Sequence, residues 1–293
     1  MDTTLRDGEQ TSGVSFSISE KLTITQLLIE ELNVDRVEIA SARVSEGEFQ
    51  AVKSILIWAE ENGYTERIEV LSFVDNGVSI DWMVNSGVKV QNLLTKGSLN
   101  HLTHQLKKTP EQHFSEIKHA IELAQSKNIL TNVYLEDWSN GMRNSPEYVY
   151  QYLDFLVTQP IKRILLPDTL GVLTPFETFS FITDLRARYP KAHFDYHAHN
   201  DYDLGTANVL EAVKAGANGL HLTVNGMGER AGNAAMASAV AVIKDFVPEV
   251  EIGIKESSIY KVSKLVETFS GVRIPSNKPI VGENVFTQTA GIH

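Results

Sequence analysis

Apolar, β-branched runs recur along this chain about every 25–35 residues, with stretches of helical periodicity between them. No other feature limits the available folds so strongly. The runs fall at residues 1–5, 36–40, 68–73, 88–94, 132–135, 163–166, 193–199 and 219–224. Neighbouring parallel strands need a long crossover, so each run followed by a helix reads as one βα unit. Helices are expected at 21–32 with Ser17 or Ser19 as cap, at 45–62 closed by Gly63, briefly at 80–85, and at 110–128. Pro146 and Pro175 each open another, the second ending near Tyr189 and Pro190, and 205–215 and 234–246 complete the set. Eight strands, each followed by a helix, predict an α/β fold: a (β/α)8 TIM barrel with a short C-terminal extension. A doubly wound open sheet would show fewer units and usually a glycine-rich first turn with a downstream acid, which this sequence lacks. The catalytic barrel is expected over residues 1–250, its first run reading as the end of a strand whose start is missing. Residues 251–293 read as one more helix, at 255–269, and the start of a C-terminal subdomain, as if the chain had been cut from a longer protein.

Charge and cysteine content narrow the function. Lys and Arg number 26 against 37 Asp and Glu, for a net charge of −11. That balance argues against a nucleic-acid or anionic-membrane surface and leaves open a local basic pocket for a phosphorylated cofactor. The absence of cysteine removes disulfides, thiolate metal sites and thiol nucleophiles, with a reducing cytoplasm as the default location. No apolar run approaches a membrane span, and no signal peptide opens the chain.

In such a barrel the active site lies where the strands end. Arg6, Asp7, Glu9 and Gln10 follow the first run; Glu136 and Asp137 end the fifth, Asp168 and Thr169 the sixth. His197 and His199 end the seventh, and strand side chains alternate, so both imidazoles share a face. Two imidazoles make half of a divalent-metal site. Asp7 is the natural third ligand, and the Asn233 amide oxygen a fourth. With no thiolate the set leans toward Mg²⁺ or Mn²⁺ and leaves Zn²⁺ open. The alternatives are a turn role for Asp7 and a helix-cap role for Asn233. Arg6 would supply a cation where negative charge develops on an oxygen, unless it only pairs with Asp7 or Glu9. Glu136 is a candidate general base or else a solvated strand-end acid. Thr169 offers a hydroxyl to a substrate carboxylate or caps a turn. The glycine-rich stretch 225–233 allows close backbone approach to a ligand.

Several motifs carry a family resemblance. Leu5-Arg6-Asp7-Gly8-Glu9-Gln10 followed by Lys21, and Phe194-Asp195-Tyr196-His197-Ala198-His199-Asn200-Asp201, are similar to the two signatures of the isopropylmalate, homocitrate and citramalate synthases. These are metal-dependent acyltransferases of the HMG-CoA-lyase-like barrel superfamily. Leu166-Pro167-Asp168-Thr169 and Gly228-Glu229-Arg230-Ala231-Gly232-Asn233 also match, as does the stretch from Phe286 to His293, with Gln288 where many members have histidine. Asp203 stands where the family usually has glycine.

The resemblance implies a Claisen-type condensation of acetyl-CoA with a 2-oxo acid. The metal and Arg6 would polarise the carbonyl, Thr169 would hold the carboxylate, and Glu136 would take the acetyl proton. His293 would assist from the partner subunit of a homodimer. The lyase branch is disfavoured because its catalytic cysteine is missing from 225–232. Leu71, Leu94 and Tyr134, at the ends of three successive runs, would face the substrate's side chain, unless they are ordinary barrel core. Filling that space favours pyruvate and hence citramalate, with 2-isopropylmalate synthesis from 2-oxoisovalerate as the alternative. Homocitrate synthesis, carbon–carbon cleavage on the same metal, and a non-enzymatic binding barrel are the remaining rivals.

Overall fold

The computed structural model describes residues 1–288. After a turn at Gly8–Gln10 the chain enters α1 (Ile18–Gln26), where Ser17 and Glu20 form a reciprocal capping box. A π-helical turn, Leu27–Glu31, extends it. The alternation then runs β1 (Val37–Ser41), α2 (Glu46–Asn62), β2 (Ile68–Phe73), α3 (Val78–Ser86), β3 (Val90–Lys96), α4 (Pro110–Ser126) and β4 (Leu130–Glu136). It continues through α5 (Trp138–Asn144), α6 (Pro146–Leu156), β5 (Ile164–Asp168), α7 (Pro175–Arg188), β6 (Phe194–Ala198), α8 (Gly205–Lys214), β7 (Gly219–His221) and α9 (Met236–Phe246). A last helix, α10 (Ile259–Ser270), packs Val262 and Val266 into the main core.

Seven strands pair in sequence order, all parallel. Asp2 joins the two edges, bridging Val37 on one side and Leu222 on the other. The expected first strand is therefore reduced to one doubly paired residue. Its neighbour explains why: the Thr3 carbonyl accepts the amides of Arg6, Asp7 and Gly8, so the chain curls before a ladder can lengthen. The eighth expected run is also cut short, since the chain turns at 224–226 with Asn225 at φ 60°. The result is the expected α/β barrel, closed through Asp2.

Two features were not legible beforehand. The short helix α5 sits between β4 and α6, and a π-helical turn, His101–Leu106, follows β3. Gly97 and Gly141 let these segments touch. A Cβ on Gly141 would lie 2.2 Å from the Gly97 carbonyl oxygen, and one on Gly97 would lie 2.5 Å from that of Leu135.

The main apolar core lies between strands and helices. Inside the barrel the filling is mostly polar: Glu38, Glu69, Asn92, Asn132, Asp195 and His221 are all buried. Buried charge is tolerated only when paired and hydrogen-bonded. Here Arg36 Nη1 meets Asp195 Oδ2 at 2.9 Å, Arg163 is paired with Glu69, and Asn92 donates to Glu38 at 2.7 Å and accepts from Asn132 at 2.8 Å.

Candidate active site and metal centre

The turn that ends the N-terminal segment carries Arg6 and Asp7 over the barrel mouth. The end of β6 delivers His197 and His199 to the same point. Asp7 Oδ2 lies 3.1 Å from His197 Nε2 and 3.8 Å from His199 Nε2, and the two Nε2 atoms are 3.3 Å apart. All three residues are buried, and their donor atoms fall within 4.8 Å of one another, a grouping able to hold a metal ion. Asn233 is held beside them by an antiparallel bridge to His199.

The donor set fits a divalent cation. Asp7 Oδ1 and Asn233 Oδ1 are both buried without a hydrogen-bond partner among the described residues, an expensive arrangement unless something positive is to be met there. The other half of the Asn233 amide is committed, Nδ2 donating to the Met227 carbonyl at 2.9 Å. Gly228 makes this possible, because a Cβ there would come within 2.4 Å of Nδ2. Burial opposes ionisation of Asp7, but Arg6 and the two imidazoles overcome it and hold its carboxyl well below the usual range. Burial, helped by His197, pushes His199 down to about 3, leaving it neutral as a ligand must be. The alternative roles for Asp7 and Asn233 are not what the structure contains. Asp7 bonds no backbone amide through its side chain, and α9 is preceded by Ala235, not Asn233.

Arg6 is aimed by three contacts. Its Nε donates to Glu38 Oε2 at 2.6 Å, Nη1 to Asp7 Oδ2 at 3.1 Å, and Nη2 to the Tyr134 hydroxyl at 3.4 Å. Tyr134 in turn lies 2.9 Å from His221 Nδ1, whose Nε2 is 3.1 Å from Asp195 Oδ2. Burial, followed by the Glu38 carboxylate, lifts the Tyr134 phenol well above its ordinary value, so it stays protonated.

The three proposed selectivity residues come together. Leu71, Tyr134 and Leu165 form an apolar cluster separate from the main core, with Leu94 packed against it. Leu165 had not been singled out. Neither had Glu38, which shares the carboxylate cage around Arg6. A polar residue at an inward position of an otherwise apolar run was the available signal for Glu38.

Glu136 and Thr169 sit at the ends of β4 and β5. Glu136 is ion-paired with Lys96 rather than freely solvated. Thr169 Oγ1 accepts the Asp137 amide at 2.8 Å, a bond between the ends of β4 and β5 that still leaves its hydroxyl proton to donate. Arg230 clamps this rim, bonding the Thr169 carbonyl at 2.7 Å and both oxygens of Asp201 at 2.8 and 3.0 Å. His293 lies outside the described residues.

Fold and site together define a TIM-barrel protein with a metal-capable Asp-His-His centre at the C-terminal rim. The chain belongs to the HMGL-like family, whose model matches residues 1–266. It is 38% identical over 292 residues to a probable 2-isopropylmalate synthase of Ignicoccus hospitalis, covering 100% of this chain and 71% of that protein. It is 37% identical to a putative (R)-citramalate synthase of Methanopyrus kandleri, covering 100% of this chain and 56% of that one. A 2-isopropylmalate synthase of Sulfurisphaera tokodaii is 36% identical, with 100% and 73% covered. Among solved structures, the hydroxymethylglutaryl-CoA lyase of Pseudomonas aeruginosa superposes with TM-score 0.72 at 16% identity, covering 94% and 93% of the two chains. The carboxyl transferase domain of Rhizobium etli pyruvate carboxylase, solved with pyruvate and biocytin, gives 0.69 at 15%, covering 92% and 46%. At those identities the structures establish the fold alone.

Proposed function

We propose that this chain carries the catalytic barrel of an acyltransferase that condenses acetyl-CoA with a 2-oxo acid, pyruvate in preference, to give citramalate and free CoA. One observation carries the reading. Arg6, fixed by Glu38, bonds both Asp7 of the Asp7–His197–His199 cluster and Tyr134 of the apolar cluster formed with Leu71, Leu94 and Leu165. The relatives are named as synthases, divided between 2-isopropylmalate and (R)-citramalate, which supports a reading as a synthase of this kind.

A divalent ion held by Asp7, His197, His199 and Asn233 would supply Lewis-acid polarisation of the 2-oxo carbonyl. Arg6 adds a fixed cation beside the oxygen on which charge develops. The Thr169 hydroxyl donates to the substrate carboxylate. Glu136 takes a proton from the acetyl methyl group, and the electron pair of that C–H bond moves into the thioester enolate. The enolate carbon forms the new bond to the ketone carbon, whose oxygen is then protonated. Water cleaves the thioester, releasing the thiol of CoA. His293 is proposed to assist from the partner subunit of a homodimer.

Pyruvate is favoured because four side chains already fill the wall beside the carbonyl. A methylene or two changes binding in such a pocket by only about 1–3 kcal/mol, so filling the space is how selectivity is gained. The test is thiol release from acetyl-CoA by the intact protein with pyruvate, 2-oxoisovalerate and 2-oxoglutarate. We expect kcat/KM highest for pyruvate, and Leu94→Ala or Leu165→Ala to shift the ratio toward 2-oxoisovalerate by about tenfold. A preference for 2-oxoisovalerate in the unsubstituted protein would assign 2-isopropylmalate synthesis instead. Cleavage of a hydroxy-oxo acid without thiol release would assign a lyase.

A further inference from the structure

The ends of β3 and β4 hold a cation that the proposed reaction has not used. Lys96 lies directly opposite Glu136 in the parallel register, and its ammonium is ion-paired to Glu136 Oε2. The pair sits largely out of water, its side chains 15% and 23% exposed. The second carboxylate oxygen, Oε1, has His101 Nδ1 as a neighbour at 3.9 Å, beyond hydrogen-bonding distance. His101 leans instead toward Asp137, with Nε2 3.4 Å from Oδ2. One oxygen of Glu136 is tethered, and among the described residues the other has no hydrogen-bond donor.

The main chain of Lys96 is itself held from the helical layer. Its N–H donates to His113 Nε2 at 3.2 Å, and its carbonyl accepts from the Tyr148 hydroxyl at 2.8 Å. One residue earlier, the Tyr152 hydroxyl donates to Thr95 Oγ1 at 2.6 Å, and the Thr95 hydroxyl donates in turn to the Tyr134 carbonyl at 2.6 Å. The rings bearing these hydroxyls belong to one stacked set, with Phe114 5.0 Å from both Tyr152 and Phe155. His113 can accept only as the neutral imidazole, and burial together with Lys108 and Lys96 pushes it down to about 4. Side chains on α4 and α6 thus fix the strand end whose own side chain fixes the acid.

We infer that Lys96 is a positioning residue for the condensation: its ammonium holds Oε2 of Glu136 so that Oε1 faces the acetyl methyl group. The inference deepens the acetyl-CoA reading above and rests on it. Lys96 transfers no proton. The C–H bond breaks to Glu136 Oε1 and the electron pair enters the thioester enolate, while the ammonium keeps its charge throughout. A glutamate arm left free would sample several rotamers, and proton abstraction depends steeply on the approach of donor to acceptor.

The experiment follows thiol release by the intact, metal-loaded protein with acetyl-CoA and pyruvate. Lys96→Met should lower kcat about 10–100-fold with KM for pyruvate within about twofold, and Lys96→Arg should recover most of the loss. Tyr148→Phe, which deletes one hydroxyl and keeps the ring, should lower kcat by about 2–5-fold. In a Glu136→Gln background, Lys96→Met should cost almost nothing further, because the two act as a unit. Wild-type kcat in Lys96→Met, or a full additional loss in the double variant, overturns the inference, while a Glu136→Gln variant of sharply reduced but measurable turnover keeps the condensation standing. Wild-type turnover in Glu136→Gln, or no thiol release by the unsubstituted protein, removes the underlying reading and the inference with it.

Discussion

At Asp7 a single oxygen meets three groups: Arg6 at 3.1 Å, His197 at 3.1 Å and His199 at 3.8 Å. Such crowding leaves no slack in the ligand set. Asp7→Ala and His199→Ala should each weaken metal binding by more than about 100-fold and abolish turnover, read by metal analysis after dialysis alongside thiol release. Unchanged turnover after exhaustive chelation would overturn the metal-dependent chemistry. The pairing of the two imidazoles was legible because period-two spacing places His197 and His199 on one face without any tertiary knowledge. Glu38, Lys96 and Leu165 were not, for a physical reason. Each acts through a neighbour on another strand, and a lone polar or apolar residue in a strand run carries no mark of which neighbour it will meet.

At the scale of elements, the caps and prolines gave most helix starts. Ser17, Ser45 and Gly63 occupy the expected ends, and Pro110, Pro146 and Pro175 stand in the first turns of α4, α6 and α7. What escaped was α5, seven residues with glycine and two asparagines, whose local propensity is poor. It is held by tertiary contact: Trp138 and Met142 are buried in the core, and Gly141 lies against Gly97. Gly141→Ala should therefore destabilise by about 1–3 kcal/mol even though alanine is the better helix former, as measured by chemical denaturation. A neutral or stabilising effect would mean that the segment is held by its own helicity. Because Gly97 follows Lys96, the same substitution should also depress kcat.

On the scale of the molecule, the barrel count was legible and its closure was not. Periodicity announces eight βα units, yet one of the eight strands survives as Asp2 alone, since pairing length depends on where the chain turns next. The candidate metal site would gather three stretches far apart in sequence: the turn at Asp7, the end of β6, and the loop ending at Asn233. A ligand bound across them should stabilise the whole fold. At a metal concentration about 100 times Kd the gain is about 2.7 kcal/mol, enough to raise Tm by several degrees in calorimetry. Asp7→Ala should erase that increment, and an identical Tm with and without metal would count against the site.

The seam at Asp2 also sets a timetable. Its partners are Val37 and Leu222, so one half of the joint follows Asp2 closely in synthesis while the other waits for nearly two hundred further residues. At ribosomal speed that gap is on the order of tens of seconds. Until it passes, the sheet has two open edges; His197 and His199 emerge only shortly before Leu222, and Asn233 only after it. A nascent chain of this protein is consequently an unclosed sheet with an exposed border, the form that chaperones shield and that neighbouring chains can pair with.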